Sequence, residues 1–198
     1  MTKIIGLTGG IGSGKTTIAG FFKTAGIPVF IADDAGKKVM QDEKVLNSIK
    51  EVFGALVFKG GILDRAELAK IVFSDPEKLQ VLNKIVHPAI KQDFELWLKQ
   101  NDKAQYVIYE AAILFESDKY KDCDVIISVV APLETRINRV LERDATTRDH
   151  VLKRINAQWT DAQRVEKSDF VIENISLESS KQEVDKILKI LKIKQKEA

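Results

Sequence analysis

The sequence predicts an α/β fold in which helices cover both faces of a doubly wound parallel sheet of about five strands. Two observations lead to this prediction. Short apolar, β-branched segments alternate with longer segments that carry apolar residues at helical spacing. In addition, a glycine-rich loop lies between the first predicted strand and the first predicted helix, where such folds bind phosphate groups.

The loop at residues 9–17 reads GGIGSGKTT and fits the pattern G-x-x-x-x-G-K-[ST]. Backbone N–H groups can approach the crowded oxygens of a triphosphate only where no Cβ intervenes, which explains the glycines. Lys15 would place its charge against the β- and γ-phosphates, and the Thr16 hydroxyl suits Mg²⁺. We predict ATP and Mg²⁺ as cofactors, Thr16 as the metal ligand, and the following residues as the nucleotide-binding set: Gly9, Gly10, Gly12, Ser13, Gly14, Lys15, Thr16 and Thr17.

The segments on either side of the loop favour a phosphate site over the alternative, which is an ordinary glycine turn. The apolar run at residues 3–8 suits a buried parallel strand, and apolar residues at helical spacing follow Thr17. A helix that begins here would direct its N-terminal amides and the positive end of its dipole at the phosphates.

The composition is that of an ordinary folded protein. Its 198 residues suffice for one α/β domain with insertions, and its net charge of +2 indicates no nucleic-acid surface. Cys123 is the only cysteine, which excludes an intrachain disulfide and fits a reducing compartment. No stretch approaches the ~20 apolar residues of a membrane span, and the N-terminal run is predicted to be a core strand. We expect a cytoplasmic protein with no nucleic-acid or membrane partner, and we favour a monomer.

The predicted elements alternate along the chain. Strands are predicted at residues 3–8, 28–31, 106–109, 124–130 and 170–172. Helices are predicted up to Gly26, at residues 35–53, at 64–71 with Asp64 as cap, from the capping Asp75 to about residue 100, from Pro132 onward, as two short helices with a capping box at Thr160 and Gln163, and through Leu191. Pro88 should kink or interrupt one helix at His87, because proline lacks the N–H donor.

The second and third strands are too far apart in the chain for a simple crossover. Residues 35–103 are mostly helical, and we interpret them as an inserted subdomain on the substrate side. We therefore predict a single domain, residues 1–198, with these parts: a core at 1–34, 104–135 and 165–198, the insertion at 35–103, and a lid at 136–164.

The predicted lid carries many cations: Arg136, Arg139, Arg143, Arg148, Lys153, Arg154 and Arg164. Arg139 and Arg143 lie one helical turn apart and share a face, and arginine forks match phosphate oxygens. A mobile segment that carries them would exclude water from phosphoryl transfer. The alternative interpretation is a solvated charged face.

Phosphoryl transfer also needs a group that positions the acceptor and takes its proton. Asp33 follows the second strand at the carboxyl edge of the sheet, where ligands bind in open α/β folds, so it is the best candidate. A helix cap is the alternative for Asp33 and the favoured role for Asp34. The predicted catalytic residues are Asp33, Lys15, Arg139 and Arg143.

Two further residues are assigned with Asp33 to the substrate site. Glu110 ends the third strand, where phosphate-loop proteins often carry a carboxylate linked to the metal; an ion pair is the alternative. His87 precedes a proline in a predicted helix, and a structural role is the alternative to substrate contact.

These residues belong to a longer series that resembles the dephospho-coenzyme A kinase family. The series covers nearly the whole chain in the family's order: residues 7–15, Ala32, Asp33, residues 87–90, Glu110, residues 113–116, Arg139, Arg143, Asp144, Thr147, Arg148, Gln158 and residues 168–174. Two positions depart from the family pattern. Ile31 stands where the family has Asp, and Ala112 stands where it has Pro.

The resemblance implies transfer of the γ-phosphate of ATP to the 3′-hydroxyl of the ribose of dephospho-CoA, the last step of coenzyme A biosynthesis. It implies a P-loop kinase core, a helical CoA-binding subdomain and a lid. By this match, Asp33 is the base or orienting group for the hydroxyl, Arg139 and Arg143 are lid arginines, and Asn174 lies near the adenine.

Two other functions remain open on the residues alone. One is another small-molecule kinase of the same build, such as a nucleotide or nucleoside kinase, with a different acceptor pocket. The other is a nucleotide-gated switch, which would need neither a large helical insertion nor an arginine-bearing lid.

Overall fold

The structure is a computed structural model that describes residues 1–196, without the side chains of Phe73 and of residues 192–196. Residues 197–198, which the predicted core includes, lie outside the described residues. The strands are β1 (Lys3–Thr8), β2 (Val29–Ile31), β3 (Phe58–Lys59), β4 (Ile62–Leu63), β5 (Tyr106–Glu110), β6 (Val125–Val130) and β7 (Phe170–Glu173). The helices are α1 (Lys15–Thr24), α2 (Ala32–Val39), α3 (Glu43–Phe53), α4 (Arg65–Phe73), α5 (Pro76–Gln100), α6 (Leu133–Arg143), α7 (Arg148–Asn156), α8 (Asp161–Glu166) and α9 (Leu177–Lys196).

Five of these strands form one parallel sheet in the order β2-β5-β1-β6-β7. The central strand β1 pairs with β5 on one side and with β6 on the other. Every residue of β5 is buried, as are the last four residues of β1, which is typical of a sheet covered by helices on both faces. The predicted doubly wound parallel sheet of five strands is confirmed.

The chain divides into two compact units. The first holds residues 1–31 and the described residues from 101 onward, and it contains the parallel sheet. Its core includes residues of α1 and α9 that lie one turn apart, Ile18 with Phe22 and Val184 with Ile187. The apolar faces that the helical spacing predicts are therefore the buried faces.

The second unit, residues 32–100, has a core of its own. This core contains Val45 and Ile49 of α3 together with Leu68 and Val72 of α4, all of them buried. A turn at residues 60–61 closes a hairpin of β3 and β4, whose two-residue strands are too short to produce a pattern in the sequence.

Several helix starts have the caps that the sequence predicts. Asp64 and Asp75 accept hydrogen bonds from backbone N–H groups in the first turns of α4 and α5. Thr160 and Gln163 form the predicted capping box of α8. None of the helices in the described part of the chain has the length and apolarity that a membrane span requires.

Residues 35–53 were predicted as one helix, and that prediction is wrong. The helix α2 ends at Val39, and Asp42 starts α3 by accepting bonds from the N–H groups of Lys44 and Val45. Asp42 has extended backbone (φ −69°, ψ 133°), as a cap residue requires, so the helical path breaks there.

The helix α5 is continuous from Pro76 to Gln100, so an interruption at Pro88 is wrong, and a kink there stays a prediction. Proline removes one N–H donor and leaves the other hydrogen bonds of the helix in place. Val86 and Phe94, on either side of it, are buried, so tertiary packing supports the helix through this position.

The central sheet should be the most sensitive part of the first unit. Ile127 of β6 is fully buried, and Ile127→Ala should lower the free energy of unfolding by about 2 to 5 kcal/mol because it leaves a cavity. Urea titration would measure this loss. The control is Ile175→Ala, at an exposed isoleucine, which should change stability by less than about 0.5 kcal/mol. Equal losses from the two variants would contradict this account of the core.

Candidate active site

The phosphate loop, residues 9–17, runs from the end of β1 into the first turn of α1. Gly14 caps α1 with left-handed backbone (φ 91°), and no side chain bonds to the first N–H groups of this helix. By contrast, α3, α4 and α7 each begin with a side chain that accepts such a bond. The first-turn N–H groups of α1 carry the positive end of the helix dipole, so this helix start can receive an anion.

Two glycines of the phosphate loop are required by their surroundings. A Cβ at Gly12 would overlap the Arg136 carbonyl oxygen, and a Cβ at Gly14 would overlap the Asn174 side-chain amide. Both glycines also have positive φ values, 78° and 91°, which L side chains disfavour. The absence of side chains therefore lets the loop backbone pack directly on the protein.

The polar residues of the loop differ in how far they are exposed to solvent. Lys15 Nζ donates a hydrogen bond to the Gly9 carbonyl at 2.9 Å, which spans the loop. Thr16 and Thr17 are exposed in the first turn of α1, so the hydroxyl predicted to bind the metal is accessible. Ser13 is buried, and its N–H donates to the carbonyl of Gly10 at 3.1 Å.

Side chains from the predicted lid hold the tip of the loop. Gln158 Oε1 accepts the Ile11 N–H at 2.9 Å, and Arg136 Nε donates to the Ile11 carbonyl at 2.9 Å. Arg136 and Arg164 are buried, and Asp161 accepts bonds from both, at 2.9 and 3.4 Å. A solvated charged face, the alternative interpretation of this segment, is therefore wrong for these two arginines.

Arg139 and Asn174 meet at the same loop. Arg139 Nη1 donates to the carbonyls of Ser13 and Gly12 at 3.3 and 3.4 Å, and its Nη2 donates to the Asn174 carbonyl at 3.0 Å. The buried Asn174 side chain donates to the Ser13 carbonyl at 2.8 Å and accepts from the Ser180 hydroxyl at 2.9 Å. Asn174 thus fastens the loop to the end of β7, and its contact with adenine stays a prediction.

Arg143, the other predicted catalytic arginine, has a different partner. It ends α6 and donates to the neighbouring Asp144 from Nε at 2.8 Å and from Nη2 at 3.2 Å. Arg154 donates to the same carboxylate at 2.9 Å. These bonds, from Arg143 first and Arg154 second, lower the pKa of Asp144 to about 2. The structure therefore places Arg139 on the phosphate loop and Arg143 on Asp144.

Glu110 is buried at the carboxyl end of β5. In the strand register it stands opposite Leu7 of β1 and Ile31 of β2. Since β1 ends at Thr8, one residue after Leu7, and the phosphate loop follows directly, Glu110 lies at the same edge of the sheet as the start of that loop. Its role toward metal or substrate stays a prediction.

The other predicted substrate residues belong to the second unit. Asp33 and Asp34 are exposed in the first turn of α2. Asp34 pairs with Lys37 at 2.8 Å instead of capping the helix, because α2 already begins at Ala32. His87 is half-buried in α5, and burial lowers the pKa of its imidazole, so this side chain is neutral at pH 7.

A groove of about 810 Å³ lies in the second unit, between α2, α3 and α5. Three lysines line it, Lys38, Lys44 and Lys84, together with apolar residues such as Val45 and Ile85. Lys38 also pairs with Asp93, which lines the groove too, at 2.5 Å. The groove therefore combines an apolar surface with cations, which suits an elongated anionic ligand.

Sequence reasoning attached no role to Gln158, Arg136 or Ser180. Gln158 belongs to the series of residues that resembles the family. The resemblance therefore marked this position, but it did not indicate what the side chain contacts. Arg136 was counted among the cations of the predicted lid, and nothing in the sequence indicated its burial, because arginine is seldom fully buried without a partner. Only the folded chain brings Asp161 within reach of it.

The parallel sheet and the uncapped helix behind a G-x-x-x-x-G-K-T loop define the class of this chain, a P-loop protein with the build of a small-molecule kinase. The family model described as CoaE, dephospho-CoA kinase, matches residues 3–179. The chain therefore belongs to the dephospho-CoA kinase family, whose members are ATP-dependent kinases.

Individual relatives agree over most of their length. Dephospho-CoA kinase from Fusobacterium nucleatum is 40% identical over 175 residues, which cover 87% of this chain and 90% of that protein. The crystal structure of TT1252 from Thermus thermophilus has a TM-score of 0.84 at 33% identity and covers 98% of this chain and 97% of its own. Dephospho-CoA kinase from Campylobacter jejuni has a TM-score of 0.70 at 25% identity, with coverage of 96% and 98%.

Replacement by alanine should have different effects at Gly14, the cap of α1, and at Gly20, inside α1. Gly14→Ala should lower ATP affinity at least tenfold, on the order of the 1.4 kcal/mol or more that a disallowed φ and a clash with Asn174 cost. Gly20→Ala, in the same helix with open space around it, should keep ATP affinity and raise stability by up to about 1 kcal/mol. Calorimetric titration and thermal unfolding measure the two effects. Normal ATP binding by Gly14→Ala would show that the loop tolerates a side chain there.

Proposed function

We propose that this chain transfers the γ-phosphate of ATP to the 3′-hydroxyl of dephospho-CoA, with the phosphate loop holding ATP and Asp33 acting on the hydroxyl. The observation that carries the proposal is the uncapped N-terminus of α1 behind glycines that have no room for a Cβ. Such a helix start binds phosphate groups, and the family supplies the reaction.

On the donor side, the loop N–H groups and Lys15 neutralise the charge of the transferring phosphate. In the part of the chain that the structure describes, no three His, Cys, Asp or Glu side chains form a ready metal cluster. Mg²⁺ typically binds through one or two protein oxygens, phosphate oxygens and water, and the exposed Thr16 hydroxyl suits this mode. When bound, the ion would polarise the phosphate oxygens.

On the acceptor side, the exposed Asp33 carboxylate accepts a hydrogen bond from the 3′-hydroxyl and orients it for attack or takes its proton. Asp33 follows the sheet directly in the chain, two residues after the end of β2. We assign Glu110 and His87 to substrate contact as well. The neutral imidazole of His87 can donate one hydrogen bond and accept another, without adding charge.

Residues 136–164 act as the lid in this proposal. Arg139 would exchange its bonds to the loop carbonyls for phosphate oxygens when ATP binds, and it would then stabilise the charge that develops during transfer. Arg143 would exchange its exposed pairing with Asp144 for phosphate oxygens when the lid closes, since such an exposed ion pair is weak.

The groove of the second unit is the proposed site for the diphosphate and pantetheine arm of dephospho-CoA. An extended arm with two phosphates needs cations at one end and apolar contact along its length. Lys44 and Lys84 provide the cations, since Lys38 already pairs with Asp93, and Val45 and Ile85 provide the apolar contact. Nucleosides and simple nucleotides lack this arm, so the groove favours dephospho-CoA among possible acceptors.

Acceptor-dependent release of ADP tests the function directly. With Mg²⁺ and ATP present, dephospho-CoA should accelerate ADP release strongly, whereas AMP, CMP and nucleosides should not. A preference for AMP or a nucleoside would favour another small-molecule kinase. Slow hydrolysis that no acceptor accelerates would favour a nucleotide-gated switch.

Neighbouring aspartates give a matched test of the acceptor side. Asp33→Asn should leave ATP binding intact and lower turnover by about 10²- to 10⁴-fold, the effect of losing a general base. Asp34→Asn should stay near wild type, because it removes only an exposed pair with Lys37. Lys15→Ala should instead weaken both ATP binding and turnover. Near-normal turnover of Asp33→Asn would remove Asp33 from the mechanism.

A pair of lysine replacements tests the groove. Lys44→Gln combined with Lys84→Gln should raise KM for dephospho-CoA about fivefold or more and leave KM for ATP unchanged, because two cations facing the arm are lost. The control is Lys50→Gln combined with Lys99→Gln, which should leave both KM values unchanged. Both of these lysines are exposed in the same unit and do not line the groove. If both double variants change KM for dephospho-CoA equally, the arm binds elsewhere.

A further inference from the structure

Side chains from distant parts of the chain hold Ile11 of the phosphate loop through both its N–H and its carbonyl. Its N–H donates to Gln158 Oε1 at 2.9 Å, and its carbonyl accepts from Arg136 Nε at 2.9 Å. Both partners lie more than a hundred residues away in the chain. Ile11 itself is half-buried and packs against the core of α6 and α7. Three contacts of different kinds therefore determine where this part of the loop lies.

Gln158 projects from a segment whose backbone is itself firmly held. The neighbouring Trp159 donates its N–H to Glu116 Oε1 at 2.9 Å, and its carbonyl accepts a bond from Arg164. The Trp159 ring stacks on the buried Phe115, with 5.2 Å between centroids and 3° between planes. Since the backbone beside Gln158 is fixed by two hydrogen bonds and a ring stack, its side chain loses little additional freedom in holding Ile11.

The arginine that holds the Ile11 carbonyl depends on the same network. Arg136 donates to Asp161 Oδ2 at 2.9 Å, and Asp161 Oδ1 accepts from Arg164 at 3.4 Å. Arg164 is fully buried and donates to Glu116 at 3.3 Å. Both contacts to Ile11 thus depend on the same buried ion pairs of Asp161, Arg164 and Glu116. Ion pairs are stronger in the low dielectric of the protein interior, provided that every charge has a partner.

We propose that Gln158 is a positioning residue for ATP: by holding the Ile11 N–H, it keeps the following loop N–H groups where the phosphates bind. This inference rests on the proposed binding of ATP phosphates by the loop. Gln158 acts only through the loop backbone and not on the transferring phosphate.

The proposal has a specific consequence for ligands. Removing the Gln158 carbonyl leaves a half-buried N–H without its partner, so the loop loses its favoured position at the tip. Ligands that use the loop through their phosphates should then bind more weakly, in the order of their phosphate number. A nucleoside without phosphates should bind as before, because it makes no use of these N–H groups.

The test compares Gln158→Met, which keeps the length of the side chain and removes the strong acceptor, with wild type. The ATP dissociation constant should rise about tenfold, the expected effect of one unpaired N–H, with a smaller rise for ADP and none for adenosine. KM for ATP should rise while KM for dephospho-CoA stays constant. Gln182→Met makes the same chemical change at an exposed glutamine of α9 and should change none of these values.

Gln158→Asn provides a second variant, since its amide is one methylene too short to reach the Ile11 N–H. It should weaken ATP binding as Gln158→Met does. The proposed role would be overturned if both variants kept the ATP affinity of wild type, or if they bound ATP and adenosine with equally reduced affinity. Loss of the folded state in both variants would overturn it as well. Failure of the wild-type protein to bind ATP would instead refute the proposed function, so the two failures are distinguishable.

Discussion

The main-chain N–H groups at the start of α1 must all point toward the proposed phosphate site. Many contacts of the first unit orient the backbone that carries them. Because a trans peptide places its C=O and N–H on opposite sides, fixing a carbonyl also orients the N–H of the next residue. The carbonyls of Ile11, Gly12 and Ser13 are met by Arg136, Arg139 and Asn174. Bonds on the carbonyl side therefore aim the N–H groups of Gly12 and Gly14 to the opposite side, where the phosphates are proposed to bind, whereas the Ser13 N–H closes a turn on the Gly10 carbonyl.

Holding the loop in this way requires charged donors inside the protein, and these are costly to desolvate. The first unit solves this by pairing. Asp161 serves Arg136 and Arg164 together, and Glu116 accepts from Arg164 and from the Trp159 backbone. As a result, the cation-rich segment contains two kinds of arginine. Arg136 and Arg164 are buried parts of the scaffold, whereas Arg143 is exposed and available for a proposed role in the lid.

The second unit contributes the acceptor side of the proposed reaction. It has its own apolar core, and its helices begin at aspartate caps that the sequence makes visible for α4 and α5. Two predictions from the sequence were wrong in this unit, one at a helix cap and one at a proline. Asp42 divides a continuous apolar pattern into two helices, and tertiary packing carries α5 through Pro88. The cap at Asp42 is local, whereas the continuity of α5 depends on contacts that a single stretch of sequence does not contain.

The sequence by itself determined the parallel sheet and the phosphate loop, because each depends on local spacing: apolar runs, glycines where no Cβ fits, and a lysine and threonine at the helix start. The family followed from a resemblance that a series of residues carries along nearly the whole chain. The tertiary structure decided which side chains hold that loop. Gln158, Arg136 and Asn174 reach it from positions more than a hundred residues away, and no periodicity links such distant residues. It also separated buried arginines from exposed ones, since burial of a charge depends on whether the fold brings a carboxylate to it.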